Sequence, residues 1–302
     1  MTELNISYAI DHGVDMVISH HPFLFKPIHD IDLSTCKGRM IENLIRHRIT
    51  SFAAHTNLDS AVQGVNDALA EKLGLQECKG FVPVMTYSSY KFTLYITAAH
   101  AKLLKKKLDS LRGKDIESYY VVDDADDFTE NIRVEFRVPG QLVKQVKDMI
   151  SSLDKSAKYD VYKLVNHGYK ETMGRIGKFP FPMSVEEALS YIKNKLEIPV
   201  LRYAGNRDRL VEKIAILGGA GAEFAEVAKS MGADLYLTGD LKYHEAQDAA
   251  MNGLVIADGG HFYTERVIIP YLAKRLRDEF KTRGWNVGVL EDVRAKDIFH
   301  CV

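Results

Sequence analysis

The chain has 302 residues, 46% of them hydrophobic, and its 40 basic and 41 acidic residues leave a formal net charge of -1. That size can bury a substantial core in more than one domain, and that balance supplies no global attraction to nucleic acid or to an anionic membrane. The cysteines Cys36, Cys78 and Cys301 form no CxxC pair, no apolar run approaches bilayer length, and residues 1–5 lack a signal-peptide pattern, so the expectation is a soluble cytoplasmic protein.

Residues 4–12 read as a short helix, with Leu4, Ile6, Ala9 and Ile10 apolar and Gly13 ending it. The strand expected at 14–18 delivers His20 and His21, and Pro22 stops regular structure. Ser34 or Thr35 is placed to cap a helix over 38–48, in which Met40, Ile41, Leu44 and Ile45 recur at helical spacing. A strand over 50–54 then delivers His55, and a helix over 62–73 closes at Gly74.

The texture changes near Tyr90. Strands are expected at 90–97, 117–122, 131–138 and 159–164, with helices at 98–111 and 141–153. This β-α-β-β-α-β order is that of a ferredoxin-like module, and it makes 86–168 a domain inserted between 1–85 and 169–302. His100 and His167 stand alone in it, and Tyr87, Tyr90, Lys91 and Phe92 suit a strand edge without a nucleic-acid role.

The frame resumes at Gly174. Phe179-Pro180-Phe181-Pro182 reads as a stiff connector, and Ser184 with Glu187 forms a capping box for a helix through Leu196. Strands follow at 199–203 and 213–217, and the turn at 218–221 opens a helix reaching about Met231. One internal echo is visible: residues 13–19, Gly-Val-Asp-Met-Val-Ile-Ser, resemble residues 232–238, Gly-Ala-Asp-Leu-Tyr-Leu-Thr. Each is followed, after a helix, by a short strand ending in a histidine with an acid four residues on. The fold class expected is α/β, with two related halves facing a shared site.

Three apolar runs, 15–18, 51–54 and 254–257, end in His20-His21, His55 and His261. His55 with Asp59, and His261 with Glu265, have the i, i+4 spacing that puts both side chains on one helical face. Imidazole and carboxylate without thiolate point to zinc, manganese, iron or nickel. Six ligands exceed what one tetrahedral ion needs, whereas two ions sharing a bridging carboxylate and water would use all six. His12, His29, His47, His100, His167 and His300 are read as solvent-facing or capping residues. His244 is expected near the metals as a general acid or substrate contact, and Lys242 as a phosphate contact. Backbone N–H groups of the turn at 218–221, Gly219 included, could receive an anion, although a tight turn with close packing suits it better and the fingerprint glycines and P-loop lysine are absent.

His20-His21-Pro22, His55-Thr56-Asn57-Leu58-Asp59, Thr238-Gly239-Asp240-Leu241-Lys242-Tyr243-His244 and Gly260-His261-Phe262-Tyr263-Thr264-Glu265 together resemble the motifs of the Nif-three-like family, whose members are labelled GTP cyclohydrolase 1 type 2 homologues. The resemblance spans nearly the whole chain, and 86–168 resembles the PII/CutA-like insertion of the longer bacterial members. It implies that His20, His21, His55, Asp59, His261 and Glu265 hold a pair of divalent ions in a toroidal homo-hexamer whose sites open on an internal cavity. It also implies a helix and strand with a Trp-Asp-Asn-like motif ahead of Leu4. Here the chain starts at Met1 and the only tryptophan is Trp285, so an unprotected sheet edge is expected in the first half. The activity implied is hydrolysis of a nucleotide or related small molecule by a metal-activated hydroxide. The alternative is a metal-dependent sensor or assembly protein whose insert binds an effector or partner.

Overall fold

The structure, a computed structural model, describes residues 1–110, 117–122, 131–292 and 294–300, with backbone alone at 87, 110, 117–119, 122, 131 and 166–170. The expected helix end at Leu111, Cys301 and the side chain of His167 lie outside the described residues. In chain order the elements begin α1 (Glu3–Asp11), β1 (Met16–Ser19), α2 (Cys36–Arg46), β2 (Thr50–Ala53), α3 (Thr56–Ser60), α4 (Val65–Lys72) and β3 (Gln76–Lys79). There follow β4 (Val82–Thr97), α5 (Ala98–Ser110), β5 (Glu117–Val122), β6 (Asn131–Pro139), α6 (Val143–Leu153) and β7 (Lys158–Met173). Then come β8 (Arg175–Ser184), α7 (Val185–Leu196), β9 (Arg202–Ala204), β10 (Leu210–Ala220) and α8 (Ala225–Ser230). The last are β11 (Leu235–Gly239), α9 (Tyr243–Met251), β12 (Val255–Asp258), α10 (His261–Glu265) and α11 (Ile268–Arg283).

Two compact units emerge: Met1–Val82 with Thr172–Val302, and Pro83–Glu171. In the first, a six-stranded sheet has the order β3-β8-β10-β11-β12-β9, and β10, β11 and β12 run parallel. The alternation of a strand divides its side chains between two faces. Ile214, Ile216, Leu235, Leu237, Val255 and Ala257 join one core with α7, while Ala215, Leu217, Tyr236 and Ile256 join another with α8. Burial of both faces explains why these strands read as continuous apolar runs. Within the Pro83–Glu171 unit, strands order as β5-β6-β4-β7 over a core built from Phe92, Leu94, Leu104, Phe136, Val146 and Ile150.

The first 60 residues form a smaller layer. β1 and β2 pair in parallel, and Ile6, Ala9, Met40, Leu44 and Ile49 pack with Val17 between the sheet and its two helices. Met16, Ile18 and Phe52 are exposed. The register repeats that of the second half: Met16 to Ser19 pair Thr50 to Ala53, as Leu235 to Thr238 pair Val255 to Asp258. Gly13 and Gly232 both enter the strands with left-handed backbones, φ +60° and +83°. Matching hydrogen bonds close each entry, from Val14 N–H to the Ala9 carbonyl (2.9 Å) and from Ala233 N–H to the Ala228 carbonyl (3.1 Å).

Some expectations are corrected. Phe179–Pro182 is part of β8, not a connector. Its prolines sit where the β8–β10 register shifts between Lys178–Lys213 and Met183–Val211, a break in the ladder that tolerates residues without an N–H. The helix expected over 62–73 begins at Val65, because Gln63 has φ +60° and Gly64 is the N-cap. Pro199–Leu201 lies outside β9, and β4, β7 and β10 run longer than read.

Candidate metal centre

Each half delivers its polar groups past the ends of two parallel strands. After β1, the Ser19 hydroxyl donates to the His21 carbonyl (2.8 Å) and fixes the turn that carries both histidines. After β2, His55 caps α3, and its carbonyl accepts from Asp59 N–H (3.2 Å), so ligand and acid stand one turn apart. His261 and Glu265 repeat this at the two ends of α10, after β12.

These side chains meet. The reactive nitrogens of His20, His21 and His55 lie within 4.8 Å of one another, and so do the ligand atoms of His21, His261 and Glu265, with His21 common to both groups. Glu265 reaches His21 Nε2 at 2.8 Å, His261 Nε2 at 3.0 Å and His20 Nε2 at 3.4 Å. Asp59 Oδ1 stands 3.5 Å from His20 Nε2. A carbonyl can only accept, so His20 Nδ1, 2.8 Å from the Ala54 carbonyl, carries the proton and turns a free Nε2 lone pair inward. His20 Nε2, His261 Nε2 and Asp59 Oδ1 are buried without a hydrogen-bond partner. Orphaned buried atoms of this kind call for an explanation such as an ion, and a donor set of imidazole nitrogens and carboxylate oxygens fits borderline divalent metals.

The electrostatics point the same way. Burial pushes the Asp59 carboxyl up to about 6, with His20 opposing the shift. Burial also acts on Glu265, yet the imidazoles of His20 and His261 beside it outweigh burial and hold this carboxylate well below its usual range. His261 is pushed up to about 9, first by the Glu265 carboxylate beside its Nε2 and further by Asp240 against the effect of burial. His55 is lowered by burial and by its histidine neighbours. A cation would satisfy the buried acids and relieve the crowding of the imidazoles.

An asparagine joins the halves, and two adjacent glycines let β10 end against the cluster. Asn66, fully buried, donates to the Asp59 carbonyl (3.0 Å) and accepts from Gly218 N–H (3.0 Å), joining the first half to the end of β10. Gly219 donates to Thr264 Oγ1 (3.0 Å) and accepts from Thr238 Oγ1 (3.0 Å). The anion-binding role considered for Gly219 is therefore corrected: its N–H is already taken. Its function is steric, since a Cβ there would stand 2.3 Å from Glu265 Oε1 and 3.3 Å from His261 Nε2.

Six of the residues singled out in the sequence thus converge: His20, His21, His55, Asp59, His261 and Glu265. His244 and Lys242 do not join them. His244 is exposed in the first turn of α9 with its ring against Tyr243, and Lys242 Nζ pairs with Glu245 at 3.4 Å. Asn66 was not legible as a site residue, because a buried asparagine looks like any helix residue until its distant partners are known. Asp240, whose carboxylate lies 2.7 Å from His261 Nδ1, was missed although it lay inside a recognised motif.

The sequence profile of the family described as Duf34/NIF3 (NGG1p interacting factor 3) matches residues 1–296. A Halalkalibacterium halodurans protein named GTP cyclohydrolase 1 type 2 homolog is 32% identical, covering 99% of this chain and 87% of its own. A Bacillus subtilis protein of the same name is 32% identical over 94% of this chain and 82% of its own. The crystal structure of a Bacillus cereus protein related to NIF3 superposes with a TM-score of 0.84 at 32% identity, covering 100% of this chain and 87% of that one.

Proposed function

The chain belongs to the Duf34/NIF3 family, and from that premise we propose that it is a divalent-metal-dependent hydrolase acting on a nucleotide or a related heterocyclic substrate. The observation that carries this reading is the convergence of four histidines and two carboxylates around orphaned buried nitrogen and oxygen atoms. His20, His21, His55, Asp59, His261 and Glu265 would hold a pair of zinc, manganese, iron or nickel ions, with Glu265 central because it faces three of the imidazoles. Bound ions of this class supply Lewis-acid polarisation and acidify a water for nucleophilic attack.

The chain's own groups would do the rest. Lys242 and His244 stand outside the six-residue cluster, so their proposed roles, receiving an anionic group of the substrate and moving a proton at the leaving group, require a substrate that extends from the ions to the start of α9. The name carried by the relatives makes GTP ring opening the first activity to assay. We extend the proposal to a toroidal homo-hexamer, for which the exposed Met16, Ile18 and Phe52 offer apolar contact surface.

A second reading, a metal-dependent sensor or assembly protein, is favoured by one observation. The Pro83–Glu171 unit has its own core, a β-α-β-β-α-β element order and the strand order β5-β6-β4-β7, which suit a ferredoxin-like, PII/CutA-like insertion that binds an effector or partner. On this reading the insertion of about 86–168 separates the two parts, 1–85 and 169–302, of one metal-binding α/β domain.

The deciding experiment loads purified protein with zinc, manganese or iron, measures metal per chain, and screens GTP, other nucleotides and phosphoesters for turnover. Metal-dependent release of product supports the hydrolase. Tight binding of one of these compounds without turnover supports the sensor. Protein that takes up none of the metals overturns both.

A further inference from the structure

The repeated register sets the two halves against each other residue by residue. Ser19 ends β1 at the position that Thr238 holds in β11, opposite Ala53 and Asp258 respectively. The hydrogen bond closing each strand pair is also repeated, Ala54 N–H to the Ser19 carbonyl at 2.9 Å and Gly259 N–H to the Thr238 carbonyl at 2.8 Å. Counting outward from these anchors, His20 corresponds to Gly239 and His21 to Asp240. The halves are therefore alike in backbone and unlike in chemistry at the two positions that face the cluster. The first half offers two imidazoles there. The second offers a glycine, where a Cβ would stand 2.8 Å from His261 N, and a carboxylate.

That carboxylate occupies an unusual backbone. Asp240 has φ +55°, the left-handed region that, glycine aside, aspartate and asparagine enter most readily. Its Oδ2 lies 2.7 Å from His261 Nδ1, the ring nitrogen turned away from Glu265, while His261 Nε2 faces the cluster 3.0 Å from Glu265 Oε1. A carboxylate oxygen has no proton to give at this contact, so Nδ1 carries a hydrogen whatever the charge of the ring, and it is Nε2 that loses its proton and presents a lone pair when a metal binds. Asp240 is itself half-exposed, with 53% of its side chain accessible, so its hold is on the tautomer and orientation of the ring more than on net charge.

We propose that Asp240 is the positioning residue of the second half: it fixes His261 as an Nε2 metal ligand, performing from the slot of His21 a supporting task in place of direct ligation. The inference rests on the metal-binding reading of the six-residue cluster. It makes the two sides of the site unequal. His20 is oriented by a main-chain carbonyl, which side-chain substitution leaves in place, and His261 by a side chain, which substitution removes.

The test uses the full chain and cobalt(II) or zinc ions alone. Affinity is measured by competition with a chromophoric chelator, and the cobalt visible spectrum reports coordination. Asp240→Ala should weaken binding roughly 10- to 100-fold and alter the cobalt spectrum. Asp240→Asn, which keeps an oxygen acceptor and tolerates the left-handed backbone, should stay within roughly tenfold of the parent chain. Asp240→Gly separates positioning from fold: it relieves the backbone and removes the acceptor together. It should melt no lower than Asp240→Ala without metal, yet bind metal as weakly as Asp240→Ala. Parent-like affinity and spectrum in the Ala and Gly variants, with metal bound by the parent, would overturn the role of Asp240 alone. A parent chain that binds neither ion would overturn the metal reading and this inference together.

Discussion

Gly219→Ala tests whether the end of β10 is shaped by the cluster it abuts. Two costs are expected. With φ +71°, Gly219 is in the left-handed region, where a side chain costs about 1–2 kcal/mol, offset in part by about 0.4–1 kcal/mol through the stiffer unfolded chain. Gly13→Ala isolates this first cost, since φ is +60° and nothing lies within 4 Å of the new Cβ. It should destabilise by about 1 kcal/mol, a melting shift of roughly 2–4 °C for a unit of this size. At Gly219 the Cβ would also stand 2.3 Å from Glu265 Oε1, so either the strand or the carboxylate must retreat. Overpacking of this kind adds about 1–3 kcal/mol, for a total of about 2–4 kcal/mol and a fall of roughly 5–15 °C. Glu265 cannot move without loosening His21 and His261, so zinc affinity should fall at least roughly tenfold. Thermal melts of both variants with and without zinc, together with chelator competition, read all of this. A Gly219→Ala chain that melts with Gly13→Ala and binds zinc like the parent would refute the steric argument.

His21→Ala removes the residue common to both groups of ligands, so metal content by elemental analysis should fall further than in His55→Ala, which belongs to one group; equal retention in both would break the assignment. His261, pushed up to about 9 by Glu265 and Asp240, is protonated at neutral pH in the metal-free chain. Its pairing therefore stabilises that chain fully below the ordinary value of 6.5 and ceases to do so as pH rises through about 9. A metal must displace the proton, so zinc affinity should climb by up to about tenfold per pH unit between 7 and 9 with proton release, and affinity flat across that window counts against it. Asp67→Ala strips Arg175, buried and hydrogen-bonded by Nη2 to Asp67 Oδ2 at 2.9 Å, of its carboxylate. Leaving that charge buried and unpaired should cost about 2–4 kcal/mol in denaturant melts without changing which residues bind metal.

The histidine-bearing strand ends were legible because they depend on local chemistry. Apolar runs at 15–18, 51–54 and 254–257 stop at polar clusters, and the acid four residues beyond each histidine needs only one helical turn. The echo between residues 13–19 and 232–238 was legible for the same reason, since a glycine entry and alternating side chains are written in adjacent residues. What escaped reading depends on partners remote in sequence. Asn66 acquires its role from Gly218, 152 positions away, and Arg175 from Asp67, 108 away. Pro180 and Pro182 obeyed the usual bias against strands, and a register shift in the neighbouring strand overrode it.

Asp240 lies between these cases. Its residue type and its motif were visible, but its task depends on a left-handed backbone at the strand end and on a histidine 21 positions later. A repeat explains how such a residue arises. When two halves share a backbone, the slots that face the common site are set by strand register, whereas the side chain in each slot is free to differ. If both slots held histidine pairs, imidazoles would crowd the centre with too few carboxylates to balance bound cations. An aspartate in one slot, turned onto the far nitrogen of His261, places negative charge beside the six-residue cluster without joining it. On the proposed metal-binding reading, the asymmetry between His21 and Asp240 would let a repeated scaffold build one site instead of two copies of half a site.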